Sequence, residues 1–255
     1  QKNSLYSCLL RSRLCWEKGL YEELLNILAF LREAVEVSKK KFAGNFDEVL
    51  KEINYRQFLA WVYTERFGDA IKIVDDFDEN DKLVFDAKLV MYRNLSMTSE
   101  IIALLSTAIT RNPNNANLHS DLGWEYFLSR NYHQSEDNLK TALTLDPENP
   151  EILYRIGQVY WHDQTKHQDA LTHWLLAIKS DPSHANSFLS LGRFYLMYED
   201  HLRAEKCFQK ALKLNGRLIE SAVNLAQIWV RKACKLPAKQ YEAGRDIISL
   251  LEPFS

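Results

Sequence analysis

Three glycines, Gly123, Gly157 and Gly192, stand 34 and 35 residues apart in the chain. Each lies in the same small pattern, with an aliphatic residue before the glycine and a tyrosine three positions after it. A spacing this regular constrains the fold more than any other feature, because it requires one supersecondary unit to be repeated along the chain. The search for a fold therefore begins with repeat architectures.

Each glycine pattern is followed at matching offsets by a small residue, a bulky residue, an alanine and a helix-breaking residue. The three sets are Ser135/Leu139/Ala142/Pro147, Ala170/Trp174/Ala177/Pro182 and Ala204/Phe208/Ala211/Gly216. A period of about 34 residues with this signature is typical of tetratricopeptide (TPR) helix–turn–helix repeats. Apolar residues recur at three- and four-residue steps, and no segment alternates as a strand would. We therefore predict an all-α protein, a right-handed α-solenoid of TPR repeats.

Close packing between helices explains the residue types of the signature. A glycine in the first helix of a pair lets the second helix approach closely, an alanine in the second helix does the same from the other side, and bulky residues fill the remaining space. We expect the tyrosines to lie between helices. The predicted structural positions are Gly123, Tyr126, Ala142, Gly157, Tyr160, Ala177, Gly192, Tyr195, Ala204, Phe208 and Ala211.

Turn and capping residues divide the chain into seven predicted helical pairs. The pairs cover 3–42, 47–78, 81–111, 116–148, 150–183, 185–217 and 219–255, with breaks that include 43–45 and a loop at 235–238. We expect degenerate pairs in 1–111, three regular repeats in 112–217 and a partial, irregular terminal repeat in 218–255. In the second pair, Ala60 and Tyr63 are predicted to take the glycine and tyrosine places, followed early by Ala70.

Composition excludes several classes of protein. The net charge of −2 is too small for a phosphate-binding surface, so strong direct nucleic-acid binding is not expected. Four cysteines without CxxC spacing fit a reducing compartment, the cytoplasm or the nucleus. No apolar run is long enough to span a membrane. Because the chain starts at Gln1 without a methionine and its last pair is incomplete, we expect a segment of a longer protein.

Motifs that carry catalysis are missing from the sequence. There is no GxxxxGK[ST], GxGxxG, GxSxG or HExxH pattern, so we predict a protein that is not an enzyme and that holds no cofactor. His162, His167 and His173 form the only histidine cluster, and we interpret them as exposed turn residues instead of metal ligands. The acidic run at 75–81 lacks the glycine and the terminal glutamate of an EF-hand, and suits a helix start.

The inner face of a TPR array is lined by the first helix of each pair, at repeat positions 2, 5, 9, 12 and 13. TPR co-chaperones that hold an acidic C-terminal peptide carry Lys at position 5 and Asn at position 9. Here those places hold Ser120, Tyr154 and Leu189, then Trp124, Gln158 and Arg193. The carboxylate clamp is therefore absent.

An aromatic and aliphatic stripe occupies the inner face instead, and aromatic anchors of this kind dominate interface energetics. For Phe127 and Leu196, packing between repeats is an equal alternative. Position 13 adds Leu128, His162 and Met197 to the lining. Stacking of RNA on the same aromatics is the alternative ligand, although only Arg193 and Arg231 accompany them. The predicted partner-binding residues are Trp124, Tyr154, Gln158, Trp161, Leu189, Arg193 and Gln227.

Residues 116–217 carry a more specific likeness. The runs 151–161 (EILYRIGQVYW), 166–174 (KHQDALTHW) and 177–181 (AIKSD) resemble the TPR scaffold subunit of the superkiller (SKI) complex. The likeness continues through 188–195 and 203–214, and it includes a one-residue insertion before Ala170 and the loop at 198–202. About 100 residues are covered well, whereas 1–110 match only in repeat pattern.

The resemblance implies a long cytoplasmic scaffold that holds an RNA helicase and WD-repeat proteins and feeds messenger RNA to the exosome for 3′-to-5′ decay. It supplies no catalytic residues, and its implied partners are the helicase, a WD-repeat subunit and an exosome adaptor. A TPR adaptor of another assembly, such as a ubiquitin ligase, a chaperone-type complex or a glycosyltransferase-type array, is the alternative. Direct RNA binding by the inner-face aromatics is the third.

Overall fold

The computed structural model describes residues 2–41 and 47–235, and within these ranges it contains helices and no strand. The all-α prediction is confirmed. The α-helices are α1 (Lys2–Glu17), α2 (Tyr21–Lys41), α3 (Asp47–Tyr63), α4 (Phe67–Ala70), α5 (Lys82–Asn94), α6 (Thr98–Arg111), α7 (Ala116–Leu128), α8 (Tyr132–Leu145), α9 (Pro150–Trp161), α10 (His167–Ser180), α11 (Ala185–Met197), α12 (His201–Leu214) and α13 (Ile219–Lys235). Two 3₁₀ segments, Ile71–Asp76 and Gln164–Lys166, continue α4 and precede α10.

The helices of the pairs α1/α2, α3/α4, α7/α8, α9/α10 and α11/α12 contact each other. Each predicted pair boundary from 78 to 219 falls between two helices. The break at 43–45, the loop at 235–238 and the second helix of the last pair lie outside the described residues. The chain divides into two compact units, residues 1–104 (unit 1) and 105–255 (unit 2).

Side-chain caps fix where several helices begin. Asn115 accepts from the backbone N–H groups of Asn117 and Leu118 at the start of α7, and Asn149 caps α9 in the same way. Asp81, from the acidic run, accepts from two backbone N–H groups at the start of α5. Each cap satisfies N–H groups that the helix itself leaves without acceptors, which explains why the breaks carry Asn and Asp.

A left-handed residue ends the first helix of five pairs. These residues are Gly19, Glu65, Ser96, Arg130 and Glu199, with φ between 56° and 67°. In each turn the following N–H donates back to the carbonyl five residues earlier, at 2.7–2.9 Å, which is the Schellman geometry. The left-handed residue therefore marks the register of each pair.

The pair formed by α9 and α10 closes differently. Asp163, with φ of −100°, accepts from the N–H and hydroxyl of Thr165, and the 3₁₀ segment follows. The extra residue seen before Ala170 in the sequence is accommodated by this wider turn.

The turn register corrects the sequence alignment of the second pair. Counted back from Glu65, the glycine and tyrosine places fall on Phe58 and Trp61, whereas Ala60 and Tyr63 were predicted there. Ala70 then stands at its regular distance after the turn. The prediction was wrong by two residues because the letters Ala and Tyr matched the repeat, while the left-handed Glu65 sets where α3 ends.

Unit 1 has its own apolar core. Leu24, Leu28 and Leu31 of α2 and Ile53 of α3 are almost fully buried in one cluster. Phe58 of α3 is fully buried, and its ring lies 4.9 Å from that of Phe77, which follows the 3₁₀ segment. Periodic apolar positions on α2 and α3 thus meet between the first and second helical pairs.

Unit 2 packs through the glycine positions. A methyl group at Gly157 would lie 2.6 Å from Cδ1 of Trp174 and closer still to Nε1. At Gly123 and Gly192 the corresponding obstructions are the side chains of Leu139 and Phe208. The glycines therefore provide room for a large side chain of the second helix to lie against the backbone of the first.

The remaining structural positions divide by burial. The alanines at positions 142, 177, 204 and 211, together with Phe208, are fully buried. Tyr126, Tyr160 and Tyr195 are half-buried, less enclosed than expected. The Lys166 ammonium lies 5.1 Å from the Tyr160 ring centre and the Arg203 guanidinium lies 5.1 Å from that of Tyr195. Charged side chains rather than helices cover one side of these rings.

Candidate functional site

The predicted inner-face residues lie on α7, α9, α11 and α13 of unit 2, where each helix is the first of its pair. We call this surface the A-helix face. Its residues separate into side chains that join neighbouring helices and side chains that remain exposed.

Trp124 of α7 is half-buried at the start of this face. Its ring stacks on Phe127 with the centres 4.8 Å apart, and it lies 6.4 Å from the Tyr154 ring. The guanidinium of Arg155 lies 5.6 Å from the Trp124 ring centre, a cation–π distance. Trp124 therefore takes part in the contact between α7 and α9.

Tyr154 and Gln158 of α9 extend the contacts to α11. Tyr154 is half-buried beside His184, and burial, followed by the nearby Glu151 carboxylate, raises the pKa of its phenol to about 12. Gln158 is buried, and its amide donates to the Ser190 hydroxyl at 2.6 Å. Gln158 was predicted to bind a partner, but it lies inside the array because its amide is satisfied by the next helix.

The Trp161 ring packs among side chains of the neighbouring helices and does not stand free in a groove. Its ring stacks on His167 at 4.5 Å and lies 5.6 Å from Trp174 and 6.0 Å from Phe194. His167 is buried and its Nε2 lies 3.1 Å from the Trp161 carbonyl oxygen, so the expectation of an exposed turn histidine is wrong there. Trp161 thus joins α9, α10 and α11.

A polar network connects three A-helices. Arg155 contacts Asp121 of α7 and Glu151 of its own helix, each at 2.8 Å, and Glu151 lies 3.2 Å from His184. His184, with Arg155, lowers the pKa of the Glu151 carboxyl. Because charges that are partly buried need partners, this network connects α7, α9 and the residue that precedes α11.

The later helices carry the remaining predicted residues. Leu189 is half-buried against the core cluster of Phe208 and Leu225. Arg193 is exposed, and its Nε lies 3.4 Å from a carboxylate oxygen of Glu220. Gln227 on α13 is exposed.

An apolar surface remains exposed where the A-helices end. Leu128, Met197 and Tyr198 retain 60%, 54% and 56% of their accessible surface. Between them, His162 stacks on Tyr132 with ring centres 4.9 Å apart. We call these five residues the exposed strip. Leu128, His162 and Met197 share repeat position 13, whereas Tyr132 and Tyr198 lie beyond the counted lining and were missed.

Two guanidinium groups influence this strip. Burial, then the positive charges of Arg193 and Arg130, lowers the pKa of His162. Within the described part of the chain, Arg130 has no carboxylate at ion-pair distance. The strip therefore combines exposed apolar side chains with two nearby guanidinium groups.

The acidic run of unit 1 borders a cleft of about 860 Å³ between α3 and α5. Asp81, besides capping α5, accepts from the Tyr55 hydroxyl at 3.0 Å. Burial, followed by this bond, raises the pKa of Tyr55 to about 12. The run thus begins a helix, as the sequence analysis expected.

No cluster of three or more His, Cys, Asp or Glu side chains with metal-binding geometry occurs in 2–41 or 47–235. No helix in these ranges has both the length and the apolar character that crossing a bilayer requires.

Sequence comparison relates the chain to known repeat proteins. Residues 120–166 match the family model for the tetratricopeptide repeat. Superkiller protein 3 of Schizosaccharomyces pombe is 30% identical over 221 residues, 82% of this chain and 16% of the relative. Superkiller complex protein 3 of Homo sapiens is 29% identical over 163 residues, 60% of this chain and 10% of the relative. The chain thus spans between a tenth and a sixth of these relatives.

Solved structures show the same fold. Pseudomonas aeruginosa PilF aligns with a TM-score of 0.53 and 21% identity, covering 65% of this chain and 81% of PilF. MamA aligns with a TM-score of 0.52 and 20% identity, covering 64% of this chain and 92% of MamA. At these identities the likeness concerns the TPR fold alone.

Proposed function

We propose that this chain is a non-catalytic TPR scaffold segment of a superkiller-type complex in the cytoplasm. In that role it helps to hold an RNA helicase and WD-repeat subunits for exosome-mediated 3′-to-5′ decay of messenger RNA. The observation that carries the proposal is the similarity to superkiller protein 3, which extends over 221 residues and so exceeds any single repeat.

The A-helix face supports a role in protein binding. Trp161 and Gln158 hold the array together through contacts with neighbouring helices, while Leu128, Met197 and Tyr198 of the exposed strip keep more than half of their surface accessible. Exposed apolar surface of this kind is a mark of interaction sites. A solenoid offers such a surface without the need for a catalytic pocket.

The test is purification of the full-length protein from its own cells through an affinity tag, followed by mass spectrometry. We expect a helicase and WD-repeat subunits to be recovered with it in near-stoichiometric amounts. Recovery of ubiquitin-ligase or chaperone subunits in their place would reject the proposal and favour another TPR adaptor. An untagged strain supplies the background.

Direct RNA binding is tested separately. Because a net charge of −2 releases few counterions, the 255-residue chain is expected to bind a single-stranded RNA weakly at about 150 mM salt. Fluorescence titration is the measurement. Submicromolar affinity at that salt would show that RNA, and not only protein, is a ligand of this segment.

A further inference from the structure

The exposed strip has the dimensions of a docking surface. Its residues lie where α7, α9 and α11 end, except Tyr132, which begins α8. Neighbouring helices pack roughly 8–10 Å apart, so the strip extends over about 20 Å. A partner helix of about 13 residues covers that length at 1.5 Å per residue. An extended segment of about six residues covers it at 3.3 Å per residue.

The strip is continuous across the repeats. Phe127 and Tyr132 both contact the His162 ring, at 5.1 and 4.9 Å between centres. On the other side, Phe194 lies 6.0 Å from Trp161 and 4.7 Å from Tyr198. Half-buried rings thus form a floor beneath the exposed side chains, which gives the strip a fixed shape.

The charges around the strip are unequal along its length. Arg130 follows α7 in a left-handed turn, and Arg193 lies one helical turn before the end of α11. Burial is the main cause of the lowered pKa of His162, and the charges of both guanidinium groups add to it. The pair between Arg193 and Glu220 has both side chains about half exposed, so it contributes little and leaves the guanidinium open to another carboxylate.

Carboxylates also border the strip. Asp163 directly follows His162 and accepts from Thr165, and Asp200 pairs with Arg203 at 2.6 Å. Glu199 adjoins Tyr198 and is exposed. Among the described residues, Arg130 is the cation beside the strip that has no carboxylate at ion-pair distance, and Arg193 has Glu220 alone.

We propose that the exposed strip binds a partner-protein segment that is both apolar and acidic. The apolar side chains of the segment cover Leu128, Met197 and Tyr198, and its carboxylates meet Arg130 and Arg193. The inference rests on the proposed function in requiring a protein partner, and it adds the chemistry of that partner. It differs from a carboxylate clamp, because Lys and Asn are absent from positions 5 and 9.

The test is selection of 16-residue peptides from a displayed random library on the 255-residue chain. We expect the recovered peptides to be enriched in both apolar residues and Asp or Glu. On Arg130→Glu/Arg193→Glu the acidic enrichment should disappear, and a synthetic copy of a selected peptide should bind roughly tenfold more weakly. On Leu128→Asp/Met197→Asp the same peptide should lose at least tenfold in affinity.

Matched controls come from exposed residues of α10. Lys179→Glu makes the same change of charge as Arg130→Glu alone, and Leu175→Asp makes the same change of character as Leu128→Asp alone. Both lie away from the strip and should leave peptide binding unchanged. Melting curves establish that each variant is folded. If the double arginine variant melts early, Arg130→Glu alone carries the comparison, since Arg130 has no ion-pair partner in the described ranges.

Three results would overturn the inference: no peptides selected, peptides without acidic enrichment, or binding unaffected by the strip variants. The scaffold proposal is tested separately from the strip. If superkiller-type subunits are recovered equally by the full-length protein with and without Arg130→Glu and the selection fails, only the strip is rejected. If acidic peptides are selected as expected but those subunits are not recovered, only the scaffold is rejected.

Discussion

The second and fifth helical pairs solve one packing problem in opposite ways. In the pair of α9 and α10, Gly157 of the first helix makes room for Trp174 of the second, which is 1% exposed. In the second pair, Phe58 stands at the glycine place of α3, and Val74 stands at the place of Trp174. At these two repeat positions each pair therefore has one large and one small residue, and the total volume is kept although the glycine is not.

The largest expected effect is loss of the large residue from either pair. Phe58→Ala and Trp174→Ala should each lower the free energy of unfolding by about 3–5 kcal/mol, because both side chains are almost fully enclosed. Urea unfolding followed by circular dichroism measures this. A loss below about 1 kcal/mol for either variant would break the equivalence of the two pairs.

A smaller effect should follow from filling the small side of the contact. Gly157→Ala places a methyl group against the rigid indole of Trp174 and should cost about 1–3 kcal/mol. Gly68→Ala is the matched control in unit 1, since nothing lies within 4 Å of the added carbon. That control should be neutral or stabilising by up to about 1 kcal/mol.

A second change separates crowding from other effects of the alanine. Adding Trp174→Leu to Gly157→Ala removes the ring that the methyl group meets. We expect the double variant to lose less stability than the sum of the two single changes. Strict additivity would mean that the glycine has no packing role in this pair.

The smallest effects concern the turns. A left-handed conformation costs a non-glycine residue roughly 1 kcal/mol, so Glu199→Gly should stabilise by a few tenths to 1 kcal/mol. Asp163→Gly, in the one wider turn of the regular repeats, should destabilise by a similar amount because the bonds to Thr165 are lost. If both variants shift the melting temperature in the same direction, the two turns do not differ as described.

The comparison also shows what the sequence could predict. The period, the capping residues and the extra residue before Ala170 located the helix pairs, because turns and caps are local signals. The register of the second pair was missed, since this pair has a large residue where the regular repeats have the recurring glycine. Only the left-handed Glu65 fixes that register.

Contacts between residues far apart in the chain decide which of the predicted binding residues are buried. Gln158 is buried and donates to Ser190, which lies 32 residues away in the chain. No local sequence pattern indicates that pairing. Trp161 is held by three rings from two later helices. Repeat position alone therefore could not distinguish side chains that connect neighbouring helices from side chains that stay exposed.

The central claim is that the side chains joining the A-helices differ from those that contact a partner. Its most direct test is partner recovery and unfolding free energy measured together for Trp161→Ala and Met197→Asp in the full-length protein. We expect Trp161→Ala to lose about 1–3 kcal/mol of stability and to retain its partners below the melting temperature. Met197→Asp should stay within about 0.5 kcal/mol of the parent and lose partner affinity at least roughly tenfold. The reverse outcome, lost partners with a stable Trp161→Ala and intact binding by Met197→Asp, would contradict the account.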